Sequence, residues 1–84
     1  MQPSVLIVDD IEMMRRELRR IVEEHGMTVA GEAATGREGV DEYGRLKPDV
    51  VLMDITMPEM NGIEALRAIK AAYPDACVIM CSAL

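Results

Sequence analysis

Four short apolar runs alternate with three segments of helical periodicity along this chain, and that alternation limits the folds available to it. The runs cover residues 4–8, 27–32, 49–54 and 76–81, and continuous apolar runs of this length are typical of strands buried on both faces. A βαβαβαβ order predicts an α/β fold, in which right-handed crossovers join parallel strands and helices cover both faces of the sheet.

The first helix is predicted over residues 11–25, where the apolar residues recur at the spacing of one helix face. The residues expected to face inward are Ile11, Met14, Leu18, Ile21 and Val22. The charged residues of the same segment, Arg15 among them, are expected to fill the remaining, solvent-facing surface. Gly26 supplies the stop that commonly follows a helix.

The second and third helices carry recognisable start and stop signals. Thr35 and Glu38 have the spacing of a capping box, and the helix they begin is expected to run to about Leu46, before Lys47–Pro48 ends it. Asn61–Gly62 has the chemistry of a turn that leads into a helix. The third helix carries Ile63, Leu66, Ile69 and Tyr73 and stops before Pro74.

Length and charge narrow the classes of protein to which the chain can belong. Its 84 residues predict a single domain, 1–84, and its formal net charge of −6 argues against nucleic acid or an anionic membrane as a direct partner. The sequence shows no secretory leader and no apolar run near the ~20 residues of a membrane span, so a cytoplasmic protein is expected. Cys77 and Cys81 are expected to be small buried residues in a reducing compartment.

Polar side chains stand where three of the four predicted strands end. Asp9 and Asp10 follow the first strand, Asp54 ends the third, and Ser82 follows the fourth. The carboxyl ends of parallel strands share one edge of the sheet, where ligands of open α/β folds bind. Three neighbouring carboxylates repel one another until a cation or a proton relieves the repulsion. Mg²⁺ prefers oxygen ligands and often shares them with phosphate, so a magnesium site with room for a phosphoryl group is predicted.

Each of these residues also has a purely structural interpretation. Asp10 is a possible helix cap, Asp54 a possible turn starter, and Ser82 a common residue at a strand end. These interpretations explain the residues one at a time and leave their common position unexplained. A Mg²⁺-dependent phosphohydrolase is a further alternative, but such enzymes often carry an Asp-x-Asp pair after the first strand. The adjacent pair Asp9–Asp10 disfavours it.

The segments VLIVDD, DVVLMDITMPEMNG and VIMCSA occur in order, and together they resemble the motifs of response-regulator receiver domains, most closely those of the CheY type used in chemotaxis. The resemblance implies a flavodoxin-like, CheY-like parallel sheet of strand order 2-1-3-4-5. It also implies a phosphoacceptor of two-component signal transduction rather than an enzyme of metabolism. The implied partners are a histidine kinase as phosphodonor and a flagellar-motor or other output protein.

The resemblance implies a role for each matching residue. Asp54 corresponds to the aspartate that accepts the phosphoryl group, Asp10 to the direct Mg²⁺ ligand, and Asp9 to the neighbour that acts through water. The backbone carbonyl of Thr56 corresponds to another Mg²⁺ ligand, and its side chain faces the phosphoryl group. Ser82 corresponds to the switch hydroxyl and Ala83 to the small residue whose amide contacts a phosphoryl oxygen. Met57–Pro58 and Gly62 correspond to the loop that shapes the site.

The sequence also departs from the family pattern. A receiver of this type usually has a fifth strand and two further helices, and the lysine that pairs with its phosphoryl group lies in that later part. Neither Lys47 nor Lys70 occupies the lysine's position. The alternative interpretation is therefore a truncated or engineered receiver fragment that assembles but does not signal. An exposed fourth strand at the sheet edge predicts self-association, by edge pairing or by exchange of elements.

Overall fold

A computed structural model describes residues 2–81 of the chain. The elements follow the predicted order and are β1 (Ser4–Val8), α1 (Glu12–Glu24), β2 (Thr28–Ala33), α2 (Gly36–Leu46), β3 (Val50–Asp54), α3 (Gly62–Ala72) and β4 (Val78–Cys81). The predicted boundaries differ from these by one or two residues, most of all at β4, which begins after Ala76 and Cys77. No helix in this part of the chain is long and apolar enough to cross a membrane.

The four strands form one parallel sheet in the order β2-β1-β3-β4. The register pairs Val8 of β1 with Ala33 of β2 and with Met53 of β3, and it pairs Asp54 with Cys81 of β4. The carboxyl ends of the strands therefore meet at one edge of the sheet. This arrangement confirms the flavodoxin-like fold for the described residues, which hold four strands and three helices.

Side chains alternate between the two faces of the sheet and form two apolar cores of unequal size. The larger core lies under α2 and α3, and its buried members are Leu6, Val8, Ala33, Tyr43, Val51, Met53, Met57, Ala65, Ile69 and Ala76. The smaller core lies under α1 and buries Val5, Ile7 and Val22, with Leu18 and Leu52 packed against it. Helices thus cover both faces, as predicted, but only α1 covers the second.

Some residues that were expected to be buried are exposed, and the position of α1 explains most of them. This helix packs on β1 and β2, so its outer flank has no neighbour among the described residues. Ile11 is consequently 51% exposed and Ile21 40% exposed, although both lie on the predicted inward face. The prediction for the cysteines was also wrong, because Cys77 precedes β4 and is exposed, while Cys81 is half-buried on the α1 side.

The start of α3 uses a complete capping box. The Asn61 side chain accepts a hydrogen bond from the Glu64 amide at 2.9 Å, and the Glu64 carboxylate accepts one from the Asn61 amide at 3.1 Å. The box predicted at α2 forms only in part. Thr35 Oγ1 accepts from the Glu38 amide at 3.1 Å, but the Glu38 carboxylate accepts from the amide of Ala34 instead of Thr35.

The two tyrosines of the chain meet between α2 and α3. The ring centroids of Tyr43 and Tyr73 lie 5.0 Å apart with the planes inclined at 53°, a favourable arrangement for an aromatic pair. Burial, followed by the charge of neighbouring groups, raises the pKa of Tyr43. The pair therefore belongs to the larger core and joins its two helices.

Candidate metal centre

Asp9, at the carboxyl end of β1, is held by hydrogen bonds to two neighbouring segments. Its amide continues the ladder by donating to the carbonyl of Ala33 at 3.0 Å, and its carboxylate accepts from the amide of Ile11 at 2.9 Å. The second bond turns the chain toward α1, whose N-cap residue is Ile11 and which begins without a side-chain cap. The residue is only 3% exposed, whereas the neighbouring Asp10 faces solvent.

Asp54 is the last residue of β3 and is 7% exposed. The loop that follows folds back over it, and the amide of Gly62 donates to the carbonyl of Ile55 at 2.9 Å. A Cβ atom at Gly62 would lie 2.0 Å from the carbonyl oxygen of Asp54, so only glycine allows this approach. The Asn61–Gly62 turn therefore both begins α3 and closes the loop beside the acid.

The fold brings Asp9, Asp10 and Asp54 together at the edge of the sheet. Each carboxylate offers an oxygen, and these oxygens all lie within 4.8 Å of one another. Burial and the negative charge of Asp9 raise the pKa of Asp54, and Asp10 adds to the increase. Hydrogen bonds from the amides of Thr56 and Ile55 oppose it only in part. Asp54 is thus an acid whose surroundings favour protonation or a cation.

A divalent cation fits this set of donors. Two of the three carboxylates are buried, and none of the three pairs with an arginine or lysine side chain within residues 2–81. Buried carboxylates without a positive partner are costly, and a cation removes that cost. The all-oxygen donor set suits Mg²⁺, and the exposure of Asp10 leaves room for the waters that this ion retains. The residues therefore fit the predicted metal.

The other predicted site residues are placed less completely. Thr56 is exposed in the loop after β3, where its amide donates a hydrogen bond to the Asp54 carboxylate. The role of its carbonyl as a Mg²⁺ ligand stays a prediction. Met57 is buried at 6% exposure and anchors that loop in the larger core. Ser82 and Ala83 lie outside the described residues. The residue before them, Cys81, has a pKa raised by burial and by the charges of Asp54 and Asp9, so β4 ends beside the acids.

Sequence reasoning placed Arg15 on the solvent-facing side of α1 and so missed its position. Its guanidinium donates to the backbone carbonyl of Asp9 at 2.8 Å and to the carboxylate of Glu32 at 3.2 Å. The Arg15 side chain is 17% exposed. The available signal was its place between Met14 and Leu18, beside the apolar stripe, from which a long side chain reaches back to the strand ends.

Comparisons with known proteins agree with this geometry. Residues 5–84 match the family described as the response regulator receiver domain. The chain is 55% identical over 84 residues to the chemotaxis protein CheY of Thermotoga maritima, with 100% of this chain and 70% of that protein covered. It is 51% identical over 81 residues to CheY of Listeria monocytogenes, with 96% of this chain and 68% of that protein covered.

Solved structures give the same assignment. The response regulator domain of Thermotoga maritima CheB aligns with a TM-score of 0.93 at 46% identity, covering 100% of this chain and 63% of that one. The CheY of a Borrelia burgdorferi CheX–CheY–BeF₃–Mg²⁺ complex aligns with a TM-score of 0.93 at 41% identity, covering 96% and 62%. The chain thus spans less than two thirds of these two solved chains. It belongs to the response regulator receiver domain family.

Proposed function

We propose that Asp54 accepts a phosphoryl group from the phosphohistidine of a histidine kinase, with Mg²⁺ held by Asp9, Asp10 and Asp54. The observation that carries this proposal is the convergence of three carboxylates within 4.8 Å around the buried end of β3. Membership of the receiver family makes the chain a two-component signalling domain, and the CheY relatives favour chemotaxis. The domain catalyses only its own phosphorylation and dephosphorylation and has no separate substrate.

The transfer joins a carboxylate oxygen of Asp54 to phosphorus and breaks the phosphorus–nitrogen bond of the donor, whose imidazole keeps the electron pair. Mg²⁺, when bound, offsets the negative charge of the transferring group. Asp54 must be ionised to attack. The amides of Thr56 and Ile55 favour that form by donating to its carboxylate, against the burial and repulsion that raise its pKa.

Three further roles belong to the same proposal. The carbonyl of Thr56 completes the metal site, because the amide of this residue already faces the Asp54 carboxylate. The hydroxyl of Ser82 moves toward the phosphoryl group, and the amide of Ala83 contacts one of its oxygens. The pairing of Asp54 with Cys81 across β3 and β4 supports these two roles, because Ser82 directly follows Cys81 in the chain.

Adduct formation tests the acceptor. The chain is incubated with Mg²⁺ and acetyl phosphate, and the intact mass is measured; beryllofluoride binding is followed in parallel by fluorine NMR. The parent and Asp41→Asn, which removes an exposed acid of α2, are expected to form the adduct, and Asp54→Asn is expected to form none. A folded parent that gains no phosphoryl group, or an Asp54→Asn variant that gains one, contradicts the proposal.

A second candidate function rests on β4. This strand lies at the end of the described sheet, and Ile79 on its α1 side is 50% exposed. An unpaired strand with an apolar side chain favours association, so a receiver fragment that assembles but does not signal is the alternative. Light scattering after size-exclusion chromatography distinguishes a monomer from larger species. Ile79→Lys is expected to abolish association through β4, whereas Ile63→Lys, at the 39% exposed position on α3, is not.

The partners follow from the proposed acceptor. A histidine kinase supplies the phosphoryl group, and a flagellar-motor or other output protein reads the phosphorylated state. We place this exchange in the cytoplasm, because free thiols such as Cys77 and Cys81 are usual in a reducing compartment. The donor would be identified as a kinase that is pulled down by the unphosphorylated parent and is released when Asp54 is phosphorylated.

A further inference from the structure

Arg15 connects three separate parts of the fold through one side chain. It projects from α1, donates through Nη1 to the carbonyl of Asp9 at 2.8 Å, and donates through Nε to Glu32 of β2 at 3.2 Å. The guanidinium is rigid and planar, so the two bonds fix its orientation together. The Asp9 carbonyl belongs to the peptide that joins Asp9 to Asp10. Arg15 therefore holds the peptide between two of the three clustered acids.

The other polar groups of Asp9 are already fixed, and Asp10 is not. The Asp9 amide is bound to Ala33 and the Asp9 carboxylate to the amide of Ile11. Asp10 is exposed, and its side chain has no hydrogen-bond partner within residues 2–81. The direction of the Asp10 side chain consequently depends on the orientation of the peptide before it, whose carbonyl accepts the bond from Arg15.

Arg19 makes a second and separate ion pair with Glu32. Its Nε donates to the second carboxylate oxygen of Glu32 at 2.7 Å, so two arginines of α1 bind the same carboxylate of β2. Both contribute an ion pair between α1 and β2, but only Arg15 reaches the Asp9 carbonyl. The two residues thus share a structural role and differ in their contact with the acidic cluster.

We propose that Arg15 is a positioning residue, which orients the Asp9–Asp10 peptide so that the Asp10 carboxylate faces the metal site. The inference deepens the proposed function and rests on it for the identity of the ion. Groups that bind and orient metal ligands commonly change metal affinity by about 10- to 100-fold when they are replaced. Arg15 therefore contributes to Mg²⁺ binding without touching the ion.

The charge of Arg15 has the opposite effect, and the experiment must separate the two. A cation beside the acids opposes Mg²⁺, so a neutral replacement at Arg15 both frees the peptide and removes repulsion. Arg15→Lys retains the charge and loses the planar fork that serves Asp9 and Glu32 together. Arg19→Lys makes the same chemical change at the other arginine that pairs with Glu32, and it is the matched control.

Isothermal titration with MgCl₂ gives the first measurement. Arg15→Lys is expected to raise the Kd for Mg²⁺ by about tenfold, and Arg19→Lys is expected to leave it unchanged. Equal affinities of the parent and Arg15→Lys overturn the inference. An equal loss in both variants overturns it too, since the effect would then come from the ion pairs between α1 and β2.

Hydrogen exchange of the metal-free protein gives the second measurement and does not depend on Mg²⁺. The Ile11 amide, which donates to the Asp9 carboxylate, is expected to exchange about tenfold faster in Arg15→Lys than in the parent or in Arg19→Lys. Unchanged exchange overturns the positioning role even if Mg²⁺ affinity falls. Faster exchange in a chain whose parent binds no Mg²⁺ retains the positioning role and contradicts the proposed function instead.

Discussion

The two faces of the sheet differ in how completely they are covered. Helices α2 and α3, joined by the Tyr43–Tyr73 pair, cover one face, whose core has ten buried residues. The other face has α1 alone, a core of three buried residues, and Ile79 half-exposed on β4. The acids nevertheless depend on the second face, because Arg15 of α1 holds the Asp9 carbonyl. The larger core thus buries more apolar side chains, whereas the sparser face supplies a contact to the acidic cluster.

The largest contrast between the faces is expected from one substitution made on each. Ile69→Ala removes a side chain that is 1% exposed in the larger core and should lower the free energy of unfolding by about 2–5 kcal/mol. Ile79→Ala, at a position 50% exposed, should cost less than about 1 kcal/mol. Urea denaturation of both variants measures the difference. Equal losses would show that the α1 face is covered in solution, for example by a second copy.

The next largest effect is expected at the loop that closes over Asp54. Gly62→Ala places a methyl group against the Asp54 carbonyl, and the shift this forces should cost about 1–3 kcal/mol. Because the shift moves the acceptor, phosphorylation by acetyl phosphate should fall as well. Gly26→Ala is the control, since it strains a left-handed backbone but meets no atom within 4 Å and lies far from the acids in sequence. Normal phosphorylation of Gly62→Ala would contradict the close approach.

A smaller effect is expected from the charge of Asp54. Its pKa is raised in the folded chain, so the folded state binds more protons than the unfolded state, and metal-free stability falls as pH rises through the interval between the two pKa values. Asp54→Asn should therefore raise the calorimetric Tm at pH 7, and the gain should disappear as pH falls below the ordinary range of aspartate. A lower Tm for Asp54→Asn at pH 7 would show that the hydrogen bonds to the Asp54 carboxylate outweigh its burial and the repulsion from Asp9 and Asp10.

The smallest effect is expected on the outer surface of α1. Arg20 pairs with Glu17 and Glu24, and all three side chains are more than half exposed. Solvent and salt screen exposed pairs of this kind, so they contribute little to stability. Arg20→Gln should leave the midpoint of urea denaturation and the Mg²⁺ affinity nearly unaltered. A larger loss that persists in high salt would mean that this surface is buried by a partner.

Local patterns were sufficient to predict the order of elements and the convergence of the acids. An apolar run that ends in Asp54 specifies a strand and its polar end together, and parallel pairing then places Asp9, Asp10 and Asp54 at one edge without further information. The start of α3 was predicted from the turn chemistry of Asn61–Gly62, whereas the capping-box spacing of Asn61 and Glu64 was missed. The same spacing at Thr35 and Glu38 produced only half of a capping box, since the Glu38 carboxylate accepts a hydrogen bond from the amide of Ala34.

The remaining features depend on which elements become neighbours. Ile11 and Ile21 belong to the apolar stripe of α1, but the helix lies over β1 and β2, so the edges of the stripe stay outside. Periodicity shows which face of a helix is apolar, but it does not show how much of that face the sheet will cover. Arg15 was assigned to solvent for the same reason. Its partners, Asp9 and Glu32, come from two strands whose pairing a one-dimensional pattern does not display.

The tyrosine pair has a practical consequence for anyone who follows this protein optically. The chain has no tryptophan and no phenylalanine, so Tyr43 and Tyr73 are its only aromatic chromophores, and both report on the contact between α2 and α3. Near-ultraviolet dichroism will therefore record the loss of that contact. Detachment of α1, with the release of Arg15 from Asp9, would pass almost unseen in that spectrum and requires a probe placed on the other face.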